Sequence, residues 1–238
     1  FVNNAEANFV DFSSSRYSCT FKSFVWYMQE SYLNIGIEDE NELQRIWKIE
    51  DSRLIPEQGR NLFLATDKAA DSLSFIAPLA RYDLKNGDIN CRWVNHIDVA
   101  NGRFYPAKGE VFIQGQGGLR ELAGGVLACN LADTTKMLTN VTFRLKGKNN
   151  FDGSGDYDYV SEEEKISTIR FAEIHADTSR MIYAKAVIAP DRPLALNSGF
   201  VYKGNITLYS GRENLFFKGY VGLTADKDYL KHNWLAVD

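Results

Sequence analysis

Glu173 and His175, two residues apart in RFAEIHAD (170–177), are the side chains whose types and spacing first suggest chemistry. In an extended strand, residues i and i+2 project from one face, so the carboxylate and the imidazole stand together, alongside Ile169 and Phe171. A carboxylate beside an imidazole raises its pKa and can orient it as a general base. In the competing reading a helix begins at Ser161, with Ser161 and Glu164 as a capping box. There i and i+2 point apart and the pairing fails. The β-branched residues of this stretch favour the strand.

A second set of side chains suggests a cation. NNFDGSGDYDYVSEEE (149–164) carries oxygens at Asn150, Asp152, Ser154, Asp156 and Asp158, with Gly155 where a tight loop needs it. Hard cations take roughly six to eight oxygens, which alternate residues of a bent loop can supply, so calcium is the one cofactor brought forward. With Asn150 first, Gly155 falls on the glycine position of an EF-hand loop. Ser161 then stands where the bidentate Glu belongs, and Glu162 lies one residue beyond. The alternative is an acidic hairpin loop left in water. GEVFIQGQGG (109–118) is rich in glycine, but it lacks both the phosphate-loop Lys-Ser/Thr and the dinucleotide glycine spacing, and reads as a turn with a bulge. His96 and His232 show no metal-ligand spacing, and no GxSxG stretch marks a nucleophile.

Three short stretches, GGLREL with Arg120, EIH with His175 and FFKGYVG with Tyr220, occur in that chain order. They resemble the RxELR, QIH and YFKAGxY motifs of alginate lyases with a concanavalin-like jelly roll. The resemblance covers about a dozen of the 238 residues. It implies a polysaccharide lyase acting on an anionic polysaccharide. Arg120 would neutralise the substrate carboxylate, and His175 and Tyr220 would serve as base and acid in β-elimination. Glu173 stands where the family has its Gln, and its negative charge would repel the carboxylate. The first motif lacks its leading Arg, Tyr220 is displaced within the third, and the last two motifs lie close together.

These residues need elements to hold them. Residues 1–35 read as an extended, aromatic-rich N-terminal arm or first strands, with Ser13-Ser14-Ser15 as a flexible joint. Residues 36–238 read as a single β-rich domain. DENELQRIWKIED (39–51) has Leu43, Ile46, Trp47 and Glu50 at helical spacing behind an acidic first turn. Residues 61–84 are open between a helical turn capped by Thr66 and two strands, 62–64 and 73–76. Asn86-Gly87 and Asn101-Gly102 are hairpin signals. Residues 117–138 read as a helix weakened by Gly124-Gly125. From Asn140 onward alternation is clean, with hairpins around Asp177-Thr178-Ser179 and Gly211-Arg212. Arg144, Lys146 and Lys148 alternate as the wet face of a strand. The fold class expected is mainly β: an antiparallel sandwich, jelly roll or barrel with one to three short helices.

With 45% hydrophobic and 24% charged residues the composition is that of a globular protein that can bury a core without disulfide staples. The net charge of −4, without clustered Lys and Arg, argues against nucleic acid as a partner. No apolar run is long enough to span a membrane as a helix. Three widely separated cysteines show no zinc spacing, and their odd number does not suit a disulfide framework. The chain begins at Phe1 rather than Met, so processing and truncation are both open. These features fit a non-enzymatic structural subunit that self-associates, in a virion, tail tube or extracellular fibre. The alternative is a carbohydrate-active protein on the same fold.

Overall fold

The computed structural model describes residues 2–3, 8–47, 49, 51–132, 135–161, 163–224 and 234–238. The first strands are β1 (Val2–Asn3), β2 (Asn8–Phe12), β3 (Tyr17–Phe21), β4 (Phe24–Tyr27) and β5 (Tyr32–Gly36). After the helix α1 (Glu40–Ile46) come β6 (Leu62–Ala65), β7 (Ser74–Ile76), β8 (Leu79–Asp83), β9 (Ile89–Arg92), β10 (Ile97–Val99), β11 (Gly102–Tyr105) and β12 (Val111–Ile113). The C-terminal half supplies β13 (Leu122–Ala128), β14 (Met137–Leu145), β15 (Phe151–Val160), β16 (Ile166–Ala176), β17 (Ile182–Ile188), β18 (Leu194–Ala195), β19 (Phe200–Tyr209), β20 (Phe216–Leu223) and β21 (Trp234–Val237). The protein is mainly β, and every strand pairing among the described residues is antiparallel.

Two sheets form. The smaller runs β1-β4-β5-β8-β9-β12. The larger runs from β2, β3, β6 and β7 through β10, β11 and β13–β17 to β19, β20 and β21, with β18 beside β19. The small sheet lies against the first strands of the large one, where the rings of Phe12 and Tyr82 meet at 4.7 Å. The large sheet also folds back on itself. Asn101, in the β10–β11 turn, accepts from the Ile182 amide at the start of β17 and donates to Ser210 at the end of β19. One continuous core fills both spaces, with Phe63, Phe104, Phe143, Phe171 and Tyr202 fully buried.

The described residues of the 1–35 stretch pair into the body: β3 pairs with β6 and β5 with β8, and Phe12, Tyr17, Cys19 and Ile35 are core residues. Ser13–Ser15 is a tight turn, not a flexible joint, and the buried Ser15 hydroxyl donates to the Gly87 carbonyl. The helix forms as the spacing predicts but is shorter, starting where the Asp39 carboxylate accepts from the Asn41 amide and turning Leu43 and Ile46 inward. Each such buried aliphatic side chain stabilises by about 1.5–3 kcal/mol. Glu50 and His232 lie outside the described residues.

In 61–84 the strands win. The intervening turn, Lys68–Ala70, is capped by Asp67 rather than Thr66, its carboxylate accepting from the Ala69 amide. Asn86-Gly87 lies in the loop joining β8 to β9, which spans Leu84–Asp88. The second hairpin turns one residue early, at Ala100-Asn101, with Val99 opposite Gly102. The 117–138 helix does not form. Its centre is β13, bulged between Leu122 and Gly125, with Gly124 at φ +73°. Gly125 lies beneath the Phe104 ring, where a Cβ would come within 2.4 Å. Both C-terminal hairpins form where expected. All three cysteines are free and buried, and burial pushes the Cys129 thiol up to about 12.

Candidate functional site

His175 sits on β16, whose register explains its surroundings. Gly155 faces Phe171 while Gly153 faces Ile174, so β16 carries one extra residue over Ala172–Glu173. This bulge reverses the inward phase: Ile169 and Phe171 are buried, and the next core residue is Ile174 rather than Glu173. Glu173 and His175 therefore leave the face of Ile169 and Phe171 and come out on the opposite one. Glu173 stands opposite Lys185, and His175 opposite Tyr183.

The carboxylate that meets His175 belongs to Asp152 on β15, 3.4 Å from Nδ1. Nδ1 also lies 3.3 Å from the Phe151 carbonyl, which accepts from it when that nitrogen is protonated. Asp152 takes the Lys146 ammonium at 2.8 Å, and this hydrogen bond is the main reason its carboxyl is held below the usual range. An oriented imidazole–carboxylate pair is the base half of a catalytic triad. Among the described residues no hydroxyl or thiol hydrogen-bonds to His175 to serve as the nucleophile.

Arg120 and Tyr220 lie on either side of this pair. Arg120 follows the Gly115–Gly118 loop, and its guanidinium covers the Phe112 ring at 3.8 Å. It lines a groove of about 520 Å³ together with Arg16, Arg144, Lys146, Asp67 and Glu121. Arg144 is bound to Glu121 at 2.6 Å and Arg16 to Asp67 at 3.1 Å, while Arg120 has no ion pair among the described residues. Tyr220 is exposed on β20, opposite Lys203, whose ammonium covers the Trp234 ring at 3.8 Å. Register runs from His175 to Tyr183 to Tyr209, and Tyr220 pairs six residues further along β19. Three strand spacings and six residues separate His175 and Tyr220 by roughly 25 Å. The structure thus does not bring together the base and acid that the lyase resemblance implies.

The calcium stretch is a strand, not a loop. Asp152, Ser154, Asp156 and Asp158 lie along β15, and Asn150 precedes it. Alternate residues of a strand stand roughly 6.8 Å apart, so these oxygens run in a row instead of closing round one ion. The four on β15 each have a protein partner: Lys146 for Asp152, Arg170 for Ser154, Asn140 and Arg170 for Asp156, and Thr168 for Asp158. Among the described residues no group of three or more His, Cys, Asp or Glu is placed to hold a metal.

Sequence reasoning assigned Asp152 to a cation and so missed it as the partner of His175. The available signal was the alternation that makes 151–160 a strand beside 140–145, with Lys146 and Asp152 both on its wet side. It also passed over an apolar concentration at one end of the strands. Val160 pairs with Ile166, Phe200 with Leu223, and Val221 with Leu235. The turn between Val160 and Ile166 is tied to the start of β19 by Glu163, which accepts from the Ser198 amide at 2.7 Å. Val160, Ile166, Phe200, Leu223 and Leu235 thus share one end of the sheet and are all exposed, Leu235 by 70%. No helix among the described residues is long and apolar enough to cross a membrane. Comparison of the chain with protein families, curated proteins and solved structures finds no match.

Proposed function

We propose that the chain is a non-enzymatic structural subunit that self-associates into a particle or filament, in a virion or outside the cell. The observation that carries this reading is the exposed apolar end formed by Val160, Ile166, Phe200, Leu223 and Leu235. Val160 and Ile166 lie on the outward face of the sheet and Phe200, Leu223 and Leu235 on the face of Tyr202, and exposed apolar side chains gathered at one end of a sheet mark a contact site. Two strands support it. Among the described residues β2 and β21 end the large sheet, and an end strand offers unpaired backbone groups to a neighbour. The occupant of the apolar end is a second copy of the chain. Sedimentation of the purified protein tests this. Oligomers that grow with concentration are expected, and a species that stays monomeric across the micromolar range overturns the reading.

A second reading is favoured by the groove around Arg120, whose lining holds four cations, Arg16, Arg120, Arg144 and Lys146, against two carboxylates. This charge suits an anionic carbohydrate, bound without the elimination chemistry for which Tyr220 lies too far away. Retention assays on an immobilised polyuronate decide it: binding by the wild type and loss in Arg120→Ala would support this reading over assembly alone.

A further inference from the structure

A cavity of about 200 Å³ lies between α1 and the strands β6, β7 and β10. Its walls include Ile46, Ile55 and Phe75, all buried, and the indole of Trp93. Its mouth is polar, with Asn95, His96, Asp98 and Lys148. An apolar pocket with a few converging polar groups is the usual form of a small-molecule site, and this volume falls below the roughly 300 Å³ at which drug-sized pockets begin. It suits a smaller molecule.

Two observations mark the cavity as built. Trp93 has φ +63°, a left-handed conformation that bulky residues rarely adopt. The conformation is held in place: the Val94 amide donates to the Gly109 carbonyl, and Trp47 meets the Trp93 ring edge-on at 5.5 Å. Asn95 donates to the Trp47 carbonyl and so fastens the end of α1 to the same wall. Strained residues that the surroundings hold in place cluster at ligand sites. The second observation is the charge at the mouth. Asp98 is neutralised by two contacts from Arg103, at 2.7 and 3.2 Å. Lys148, in contrast, has no ion pair among the described residues. Among the described residues the mouth therefore presents one uncompensated ammonium above an apolar floor.

We infer that this cavity binds a small monocarboxylate with an apolar body, the body against Ile46, Ile55, Phe75 and Trp93 and the carboxylate on Lys148. An amine would meet Lys148 as a like charge, and a neutral isostere would leave the ammonium without a partner.

Trp47 and Trp93 provide the readout. Phenylacetate, benzyl alcohol and benzylamine are titrated into the full chain while tryptophan emission is followed. Phenylacetate is expected to shift the emission saturably with a Kd of about 1 mM or tighter, benzyl alcohol to bind at least tenfold more weakly, and benzylamine to produce no saturable shift. Lys148→Met should weaken phenylacetate at least tenfold, whereas Lys148→Arg keeps it, and circular dichroism checks that both variants fold. Absence of a saturable phenylacetate signal, equal binding of phenylacetate and benzyl alcohol, or unchanged binding in Lys148→Met would each overturn the inference. Should Lys148→Met not fold, the comparison of the three probes on the wild type decides alone.

Discussion

The middle of β14–β16 and the far end of the same sheet make opposite use of the alternating strand pattern. In the middle, the outward positions carry charge and are matched: Lys146 with Asp152, Arg170 with Asp156 and Ser154, Arg144 with Glu121. At the end, the exposed positions include Val160, Ile166, Phe200, Leu223 and Leu235, apolar side chains that water does not satisfy. Exposed ion pairs contribute about 0.2–1 kcal/mol each, so the charged face is a solubility device more than a source of stability. A partner gains little by covering groups already satisfied. It gains the full hydrophobic term by covering the apolar end.

The largest test of this comparison lies beneath the charged face. Phe143 is fully buried, with its ring 5.0 Å from Phe104 and 5.1 Å from Phe151. If the middle of the sheet owes its stability to this stack, Phe143→Ala lowers the unfolding free energy by about 3–5 kcal/mol in urea melts. A loss under about 1 kcal/mol would mean that the surface pairs carry more than their exposure allows.

The next test separates stability from association. Replacing Ile166 and Leu235 together by Lys places two charges on the apolar end without touching the core. Self-association measured by sedimentation should weaken at least tenfold, about 1.4 kcal/mol, while unfolding free energy changes by no more than ~0.5 kcal/mol per site. Association unchanged in this variant would move the contact to the end strands β2 and β21.

Much of the fold was legible because period-two alternation dominates the second half of the chain, and both C-terminal hairpins follow from it. Two stretches in this half were misread. Residues 117–138 read as a helix that Gly124-Gly125 only weakened, and 149–164 as a glycine-rich loop. Gly125 and Gly153 are instead flat places under aromatic rings: a Cβ on Gly125 would meet Phe104, and one on Gly153 would come within 2.3 Å of Phe143. Glycine in a strand often marks such a close approach, and only the tertiary packing tells it from a turn. The site was less legible than the fold. Strand phasing placed Glu173 and His175 on one face, and the bulge at Ala172–Glu173 decided which face that was. The carboxylate that meets the imidazole comes from the neighbouring strand, a relation set by register and not by spacing along the chain.

The smallest expected effect concerns the joint between the two regions. Glu163 lies in the turn that links Val160 to Ile166, and hydrogen bonds from Ser198 and then Lys165 hold its carboxyl at about 2, down from the ordinary 4.5. A folded-state value below the unfolded one means that the native state favours the ionised form. The contribution is complete above about pH 4.5 and is lost as pH falls toward about 2. Glu163→Gln can neither ionise nor keep the ion pair with Lys165, so it should flatten this part of the pH dependence without moving the core. Melting curves of the two proteins taken between pH 5 and pH 2 should therefore converge as the solution is acidified. Curves that stay parallel would show that the Ser198 contact does not discriminate between the charged and neutral carboxyl. The apolar end would then be held by the pairings of Val160 with Ile166, Phe200 with Leu223 and Val221 with Leu235.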